Sequence, residues 1–197
     1  MAGYAALLHS YTSQDDIVVG TLSPSGRKRT EVEALPGYFL NPVALRVNFG
    51  NHPTFSKLLQ QIRGVLSAAI SHDDVPLEFL ARELKPKGDP SRSPFFTVAM
   101  SLQPPAPDLE LEWSVTSMDV ESGGASWDLY IVIIDRPGGM IARAQYNPDL
   151  FELPAVTAML ADLRTLLESA ALNPERRVSE LRQVISPFQR RWSAGKH

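Results

Sequence analysis

The chain has 197 residues and carries 19 Lys and Arg side chains against 22 Asp and Glu, for a formal net charge of −3. Hydrophobic residues make up 44% and charged residues 21%, which argues against a disordered, collagen-like or coiled-coil protein. With one short basic cluster at 27–29, this charge gives no reason to expect nucleic acid or an anionic membrane as a partner. The lack of cysteine excludes disulfides, thiolate metal ligands and a cysteine nucleophile.

Hydropathy predicts no membrane span, because no apolar stretch approaches the ~18 residues that a span needs. The start of the chain also lacks the basic region of a signal peptide. We therefore expect a cytoplasmic protein with no membrane partner.

Hydrophobic patterns divide the first half of the chain into five elements. They are a helix at 2–12 with no capping residue ahead of it, strands at 17–19 and 42–49, and helices at 54–71 and 76–84. The missing cap suggests that the first helix begins upstream. Pro76 suits the first turn of the last helix, and Asp74 is then a natural cap.

The second half begins with a strand at 95–102 and an alternating strand at 109–116, and ends with an apolar strand at 129–134, its hairpin partner at 140–146, a helix at 150–171 and an amphipathic stretch at 178–192. The continuous apolar stretch at 129–134 predicts a central strand that is covered on both faces. Strands and helices do not alternate strictly, which predicts an α/β fold of the α+β sandwich kind. We expect a mixed β-sheet with helices mainly on one face.

Residue chemistry by itself gives no indication of an enzyme. None of the four histidines has the neighbours that catalysis needs. His72 could be a general base oriented by Asp73 or Asp74, but a helix-end histidine is the favoured interpretation. No histidine pair has metal-ligand spacing, and no glycine pair fits a phosphate-binding pattern. Ser23 and Ser25 lie outside any nucleophile-elbow sequence. We predict no catalytic residue and no metal site.

Three segments carry a resemblance when they are taken together. Residues 37–46 are GYFLNPVALR, residues 72–78 are HDDVPLE, and residues 89–94 are DPSRSP. In this order they resemble Gly-x-Phe-Val-Asn-Thr-x-x-x-Arg, His-Gln-Asp-x-Pro-Phe-Glu and Asp-x-Ser-Arg-Asn-Pro, signatures of the condensation domain of nonribosomal peptide synthetases. The flanks QDDIVVGT at 14–21, WDL at 127–129 and YNPDLF at 146–151 are also similar, so the resemblance covers essentially the whole chain.

The chain departs from this family pattern in two ways. Mild replacements stand at four motif positions, where the usual Val, Thr, Gln and Phe are Leu40, Pro42, Asp73 and Leu77. The large departure is that the catalytic motif His-His-x-x-x-Asp-Gly, which the family carries in its amino-terminal lobe, does not occur in this sequence. The resemblance therefore implies the carboxy-terminal lobe at 1–177, and the start of a linker toward an adenylation domain at 178–197.

The resemblance also implies what surrounds this lobe. In the family, two lobes that each resemble a chloramphenicol acetyltransferase subunit enclose a tunnel. Two phosphopantetheine arms of carrier proteins enter it with the donor and acceptor thioesters, and no cofactor is bound directly. The channel candidates that carry over are Ser25, Asn41 and Trp127. For Asn41, a bond to its own backbone at the strand start is favoured over substrate contact.

For the other motif residues, structural roles are favoured. They are Gly37, Arg46, His72, Asp74, Glu78, Arg92 and Asp128. We expect Arg46 and Arg92 to pair with Asp128, Glu78 or backbone carbonyls, and Asp128 to need a partner if it is buried.

The functional interpretation keeps alternatives open. The first is a fragment of an amide-forming enzyme that is inactive alone, and the second is a noncatalytic carrier-docking or scaffold module that complements a separate first lobe. An oligomeric acetyltransferase-like enzyme that uses His72 is the least favoured. The expected partners are the amino-terminal lobe, peptidyl or acyl carrier proteins and a downstream adenylation domain, with a dimer as a further possibility for an isolated lobe that exposes apolar surface and strand edges.

Overall fold

The structure, a computed structural model, describes residues 1–24, 30–33, 35–86, 92–104, 124–136 and 138–185. The predicted strand at 109–116 and the channel candidate Ser25 lie outside these residues, as does most of the predicted linker.

The helices and strands follow one another in an irregular order along the chain. They are α1 (Ala2–Thr12), β1 (Asp16–Ser23), α2 (Thr30–Glu33), β2 (Asn41–Asn48), α3 (Phe55–Ser71), α4 (Leu77–Leu84), β3 (Val98–Gln103), β4 (Leu129–Arg136), β5 (Gly139–Tyr146), α5 (Leu153–Leu172) and α6 (Val178–Leu181). The predicted helices at 2–12, 54–71, 76–84 and 150–171 are confirmed. The predicted strand at 17–19 is too short, because Gly20 to Ser23 continue the pairing with β2.

The strands form one five-stranded mixed sheet in the order β2-β1-β3-β4-β5. β1 pairs antiparallel with β2 and parallel with β3, β3 pairs parallel with β4, and β4 and β5 form an antiparallel hairpin. The α/β class with a mixed sheet is therefore confirmed.

One face of the sheet, called here the helix face, is covered by α1, α3 and α5. Their apolar residues pack with strand residues such as Val19, Val47 and Ile131, which are 0% exposed. α1 is buried on nearly all sides, as expected for a helix of Ala, Leu and Tyr without a polar face. Three helices of the chain therefore pack on the same side of the sheet.

The segment after α5 covers the amino terminus of α3. The backbone N–H groups of Phe55 and Ser56 donate to the carbonyls of Arg176 and Pro174, at 3.0 and 2.8 Å. These are amides that a helix leaves without internal partners. Val178 and Leu181 of α6 are then buried in the core. The predicted linker therefore starts inside the packed part of the chain, and its role as a connection to an adenylation domain stays a prediction.

The opposite face, called here the second face, has a smaller cluster. It consists of Leu77, Phe96, Ala99, Tyr130 and Val132, with Trp127 and others packed against it. β4 contributes to both faces and is buried on both along Leu129–Val132, which confirms the prediction from its continuous apolar sequence. A search of the described residues finds no helix that is long and apolar enough to cross a membrane.

Candidate functional site

The two matched segments 37–46 and 72–78 meet at Asn41. Its Nδ2 donates to the carbonyl of Asp73 at 2.9 Å and to that of Val75 at 2.8 Å. Its Oδ1 accepts from the backbone N–H of Leu77 at 3.2 Å. The predicted bond of Asn41 to its own backbone is therefore wrong, because its side chain binds the backbone of a segment more than 30 residues away.

The same contact corrects the predicted cap of α4. Pro76 occupies the N-cap position, and no side chain of that residue can accept from the helix. Asp74 was predicted as the cap, and this is wrong, because the exposed Asp74 lies two residues before that position. The Oδ1 of Asn41 takes an amide of the first turn instead, so the helix is capped from β2.

A second polar contact lies next to Asn41. Ser23 and Asp73 are both 3% exposed, and the Ser23 hydroxyl donates to Oδ2 of Asp73. Ser23 is the register partner of Asn41 across β1 and β2, so both side chains point to the same side of the sheet. The turn after α3 is therefore held by side chains from two neighbouring strands.

Asn41 also lines a cleft of about 430 Å³, and the buried pair of Ser23 and Asp73 lies next to it in the structure without lining the cleft. Its two walls are the segment 38–42 and the segment 74–78, with lining residues Tyr38, Phe39, Leu40, Asn41, Pro42, Asp74, Pro76 and Glu78. Tyr38 is 77% exposed. Gly37 precedes this wall, and a Cβ there would lie 2.9 Å from the Phe39 ring, so a larger residue would displace that ring.

The channel candidate Trp127 belongs to an aromatic cluster on the second face. Its ring lies 5.8 Å from Phe96 and 5.0 Å from Tyr130, the latter in an edge-to-face arrangement. The hydroxyls of Tyr130 and Ser101 are hydrogen-bonded at 2.6 Å. On the second face, the half-buried Trp127 thus packs on the buried rings of Phe96 and Tyr130, with a pair of hydroxyl groups beside them.

Arg92 and Asp128 form an ion pair at 3.6 Å, which confirms one of the predicted pairings. The carbonyl of Asp128 also accepts from the N–H of Asn147, directly after β5. This links the segment before β3 to the start of β4, where Trp127 is placed. Arg92 therefore has a structural partner, as the sequence suggested.

The predicted partners of Arg46 were wrong. Its guanidinium binds Asp16 through Nε and Nη2, at 2.8 and 2.5 Å, across the β1 and β2 pair. This bond holds the pKa of Asp16 below its usual value and raises that of Arg46. Both side chains are exposed, so the pair is a surface contact at the sheet edge and not part of the cleft.

The remaining motif residues do not converge on one point. His72 is the exposed C-cap of α3, and its Nδ1 lies 3.0 Å from the carbonyl of Ala68 and 2.9 Å from the hydroxyl of Ser71. This is the helix-end position that was favoured for it. Asp74 and Glu78 are exposed on the cleft wall.

Four polar residues that were not predicted as site residues come together in pairs in the structure, Ser23 with Asp73 and Ser101 with Tyr130. Ser101 and Tyr130 come from parallel strands separated by more than 20 residues. Ser23 faces Asn41 only in the register that β1 and β2 adopt. The sequence contained one signal for the pair of Ser23 and Asp73. Asp73 replaces a glutamine of the family motif, and a carboxylate at a buried position needs a hydrogen-bond donor.

Over the part of the chain that the structure describes, no group of three or more His, Asp or Glu side chains could hold a metal ion. The arrangement instead offers the half-buried Trp127 with a pair of hydroxyls beside its aromatic neighbours, and a cleft with acidic residues on its rim.

Comparison with protein families finds a match to the condensation domain over residues 1–191. A linear gramicidin synthase from Brevibacillus parabrevis is 36% identical over 188 residues, which are 91% of this chain and 4% of that protein. Surfactin synthase subunit 1 of Bacillus subtilis (strain 168) is 34% identical over 186 residues, 91% of this chain and 5% of that protein. The chain therefore spans a small part of these relatives.

Solved structures show the same fold. The X-domain from teicoplanin biosynthesis matches with a TM-score of 0.75 and 29% identity, over 90% of this chain and 42% of that one. A four-domain nonribosomal peptide synthetase bound to AMP and glycine matches with a TM-score of 0.80 and 20% identity, over 91% and 15% of the two chains. The second likeness concerns the fold alone. Together with the match over residues 1–191, these relatives show that the chain belongs to the condensation-domain family of nonribosomal peptide synthetases.

Proposed function

We propose that this chain is the carboxy-terminal lobe of a condensation domain that forms amide bonds between carrier-bound thioesters. The family match over residues 1–191 carries this proposal. The chain spans 42% of the matched X-domain chain, and its sequence has no His-His-x-x-x-Asp-Gly motif, which supports a lobe that works with another one. The same proposal includes the prediction from the sequence that this chain is inactive without the other lobe.

In the proposed reaction, the amine of the acceptor aminoacyl thioester attacks the carbonyl of the donor acyl or peptidyl thioester. A C–N bond forms, the C–S bond breaks, and the proton lost by the amine balances the departing thiolate as a thiol. A histidine from the amino-terminal lobe would assist this transfer. The residues of this chain would bind and orient the arms. Correct orientation of two reactants can by itself lower an activation barrier by about 7 kcal/mol.

The second face suits that task. Beyond their charged phosphodiester, phosphopantetheine arms are long, uncharged chains with amide groups, so an aromatic wall can bury their length and hydroxyls can bind their amides. Trp127 would supply the wall, held from behind by the buried Tyr130, and the half-buried Ser101, bonded to the Tyr130 hydroxyl, would supply a polar group. Asn41 stays a channel candidate, although its three backbone bonds favour a structural role. Ser25 stays a candidate outside the described residues.

The proposed partners follow from the same assignment. They are the amino-terminal lobe, peptidyl or acyl carrier proteins, and an adenylation domain that follows the stretch at 178–197. The phosphopantetheine arms belong to the carriers and act as substrates here. A cytoplasmic location and a dimer of the isolated lobe also stay proposals.

The test compares this chain alone with a complete condensation domain that includes it, using synthetase modules that load their own carriers. We expect amide formation only by the complete domain. In that domain, Trp127→Ala should lower kcat/KM about tenfold, while Arg164→Ala, at an exposed ion pair on α5, should leave it unchanged. Amide formation by the 197-residue chain alone would contradict the proposal.

The second candidate is a noncatalytic docking module, and one observation favours it. The X-domain in its complex with OxyB from teicoplanin biosynthesis matches this chain at 29% identity and a TM-score of 0.78. A condensation-like fold can therefore be solved together with a protein partner. If the complete domain binds loaded carriers but forms no amide, this candidate replaces the first.

A further inference from the structure

Asp73 stands out among the buried polar groups of the molecule. In the described part of the chain, four polar or charged side chains are buried, and these are Ser10, Ser23, Asp73 and Asp162. The hydroxyl of Ser10 donates to the carbonyl of Ala6 in its own helix. Asp73 and Ser23 instead join two segments that are 50 residues apart in sequence.

A buried carboxylate holds its position only if donors satisfy it, because removal from water is costly for a charged group. Ser23 provides one such donor from the end of β1. The backbone of the same turn is held from β2, where Asn41 donates to the carbonyls of Asp73 and Val75. One turn is thus anchored through both its side chain and its main chain to two adjacent strands.

Asn41 connects this anchor to both walls of the cleft. Asn41 is part of the wall at 38–42, and its Oδ1 accepts from Leu77 at the start of α4, next to the wall at 74–78. If the turn at Asp73 moves, the carbonyls that Asn41 binds move with it. The separation of the walls therefore depends on the bond between Asp73 and Ser23.

Resting on the proposed condensation function, we propose that Asp73 is a positioning residue that acts through Ser23 and Asn41 to set the spacing of the cleft walls. The pair is a feature of this chain, since the pattern that 72–78 resembles has glutamine where Asp73 stands. Glutamine is longer by one methylene and brings two N–H donors of its own. It cannot occupy the same buried site without a shift of the turn.

The first arm of the test measures hydrogen exchange in the complete condensation domain. The amide of Leu77 is a direct reporter, because in the first turn of α4 it has Asn41 as its acceptor. Asp73→Ala and Ser23→Ala should each speed its exchange about tenfold. The double variant should exceed neither single variant by more than about twofold, since each single variant already removes the hydrogen bond between the two side chains. Ser23→Thr, which keeps the hydroxyl, should retain most of the protection.

The second arm measures amide formation with carriers that the synthetase loads itself. Asp73→Ala should lower kcat/KM for the carrier-bound acceptor by about tenfold. The matched control is Asp162→Ala. Asp162 is a buried carboxylate as well, which accepts from the Tyr11 hydroxyl at 2.8 Å, between α5 and α1 and away from the cleft. The Asp162 variant should lower the melting temperature without a change in kcat/KM or in the exchange of the Leu77 amide.

Unchanged exchange at Leu77 in Asp73→Ala would overturn the proposal. So would an equal loss of kcat/KM in Asp162→Ala at the same fall in melting temperature, since the role of Asp73 would then be stability alone. If the unaltered complete domain forms no amide, the proposed function fails, and the exchange arm still decides whether Asp73 sets the walls.

Discussion

The two faces of the sheet are covered to different extents. On the helix face, three helices bury a continuous cluster in which Leu58, Leu163 and Leu166 are at most 2% exposed. On the second face, within the part of the chain that the structure describes, one short helix and a few aromatic residues pack on a smaller cluster. The same face carries the exposed Arg46 at the β2 edge, paired with Asp16. The difference indicates that the helix face holds the larger share of the described core.

The largest effect should come from a cavity on the helix face. Leu163→Ala removes a side chain that is 2% exposed, between α5 and the sheet. We expect a loss of about 3 kcal/mol in the free energy of unfolding, measured with urea. Leu77→Ala on the second face, at 8% exposure, removes the same three carbon atoms and should cost about 2 kcal/mol. Equal losses would break the comparison between the faces.

A smaller loss of stability is expected from a larger side chain at a closely packed position of the second face. A Cβ at Gly20 in β1 would collide with the ring of Phe96, which lies directly on it. Gly20→Val should therefore destabilise the protein by about 2 kcal/mol and displace the Phe96 ring. The control is Gly64→Ala in α3, where nothing lies within 4 Å, which should stabilise by about 0.8 kcal/mol through helix propensity. A neutral Gly20→Val would show that the second face is loosely packed.

Tyr4 gives a prediction of the opposite sign. Its side chain is 0% exposed, and within the described residues its hydroxyl has no hydrogen-bond partner. Burial raises the pKa of this phenol, so it stays protonated and neutral at physiological pH. Tyr4→Phe removes only that hydroxyl and should stabilise by about 1 kcal/mol. A loss of stability on urea denaturation would mean that the hydroxyl has a partner after all.

The smallest effect concerns the exposed pair at the open edge. In Arg46→Ala the pKa of Asp16 should return toward its usual value, as measured by NMR titration, because the guanidinium bond that lowers it is gone. The lowered pKa means that any stabilisation is present above the unfolded pKa and disappears as the pH falls through the folded one. Since both groups are exposed, we expect no measurable change in the urea midpoint at neutral pH. A clear change would show that this edge is better packed than its exposure indicates.

Sequence patterns predicted the secondary structure well where an element has one consistent period. α3 has an apolar stripe and a Thr54 cap that accepts from Lys57, and both its ends agree with the prediction. β4 has a continuous apolar sequence and is an interior strand. The prediction was poorer where tertiary contacts set the end of an element. Gly20 to Ser23 are an example, because they belong to β1 only through their pairing with β2.

The candidate site was predicted only in part, for the same reason. The motifs 37–46 and 72–78 were found as local sequences, and the pairing of Arg92 with Asp128 was correct. The partners of Asn41, Arg46 and Ser23 were not found, because each lies across a strand pair or a turn that is distant in sequence.

By itself, the sequence determined the family, the helices and strands with strong periodicity, and the lack of the histidine motif. These depend on local order along the chain, which a sequence states directly. The tertiary structure alone decided which polar groups share a buried site, which face of the sheet holds the larger share of the described core, and that Asp73 is held by Ser23. Such contacts depend on the register between strands and on the path of a turn around the sheet edge, and no local pattern encodes either.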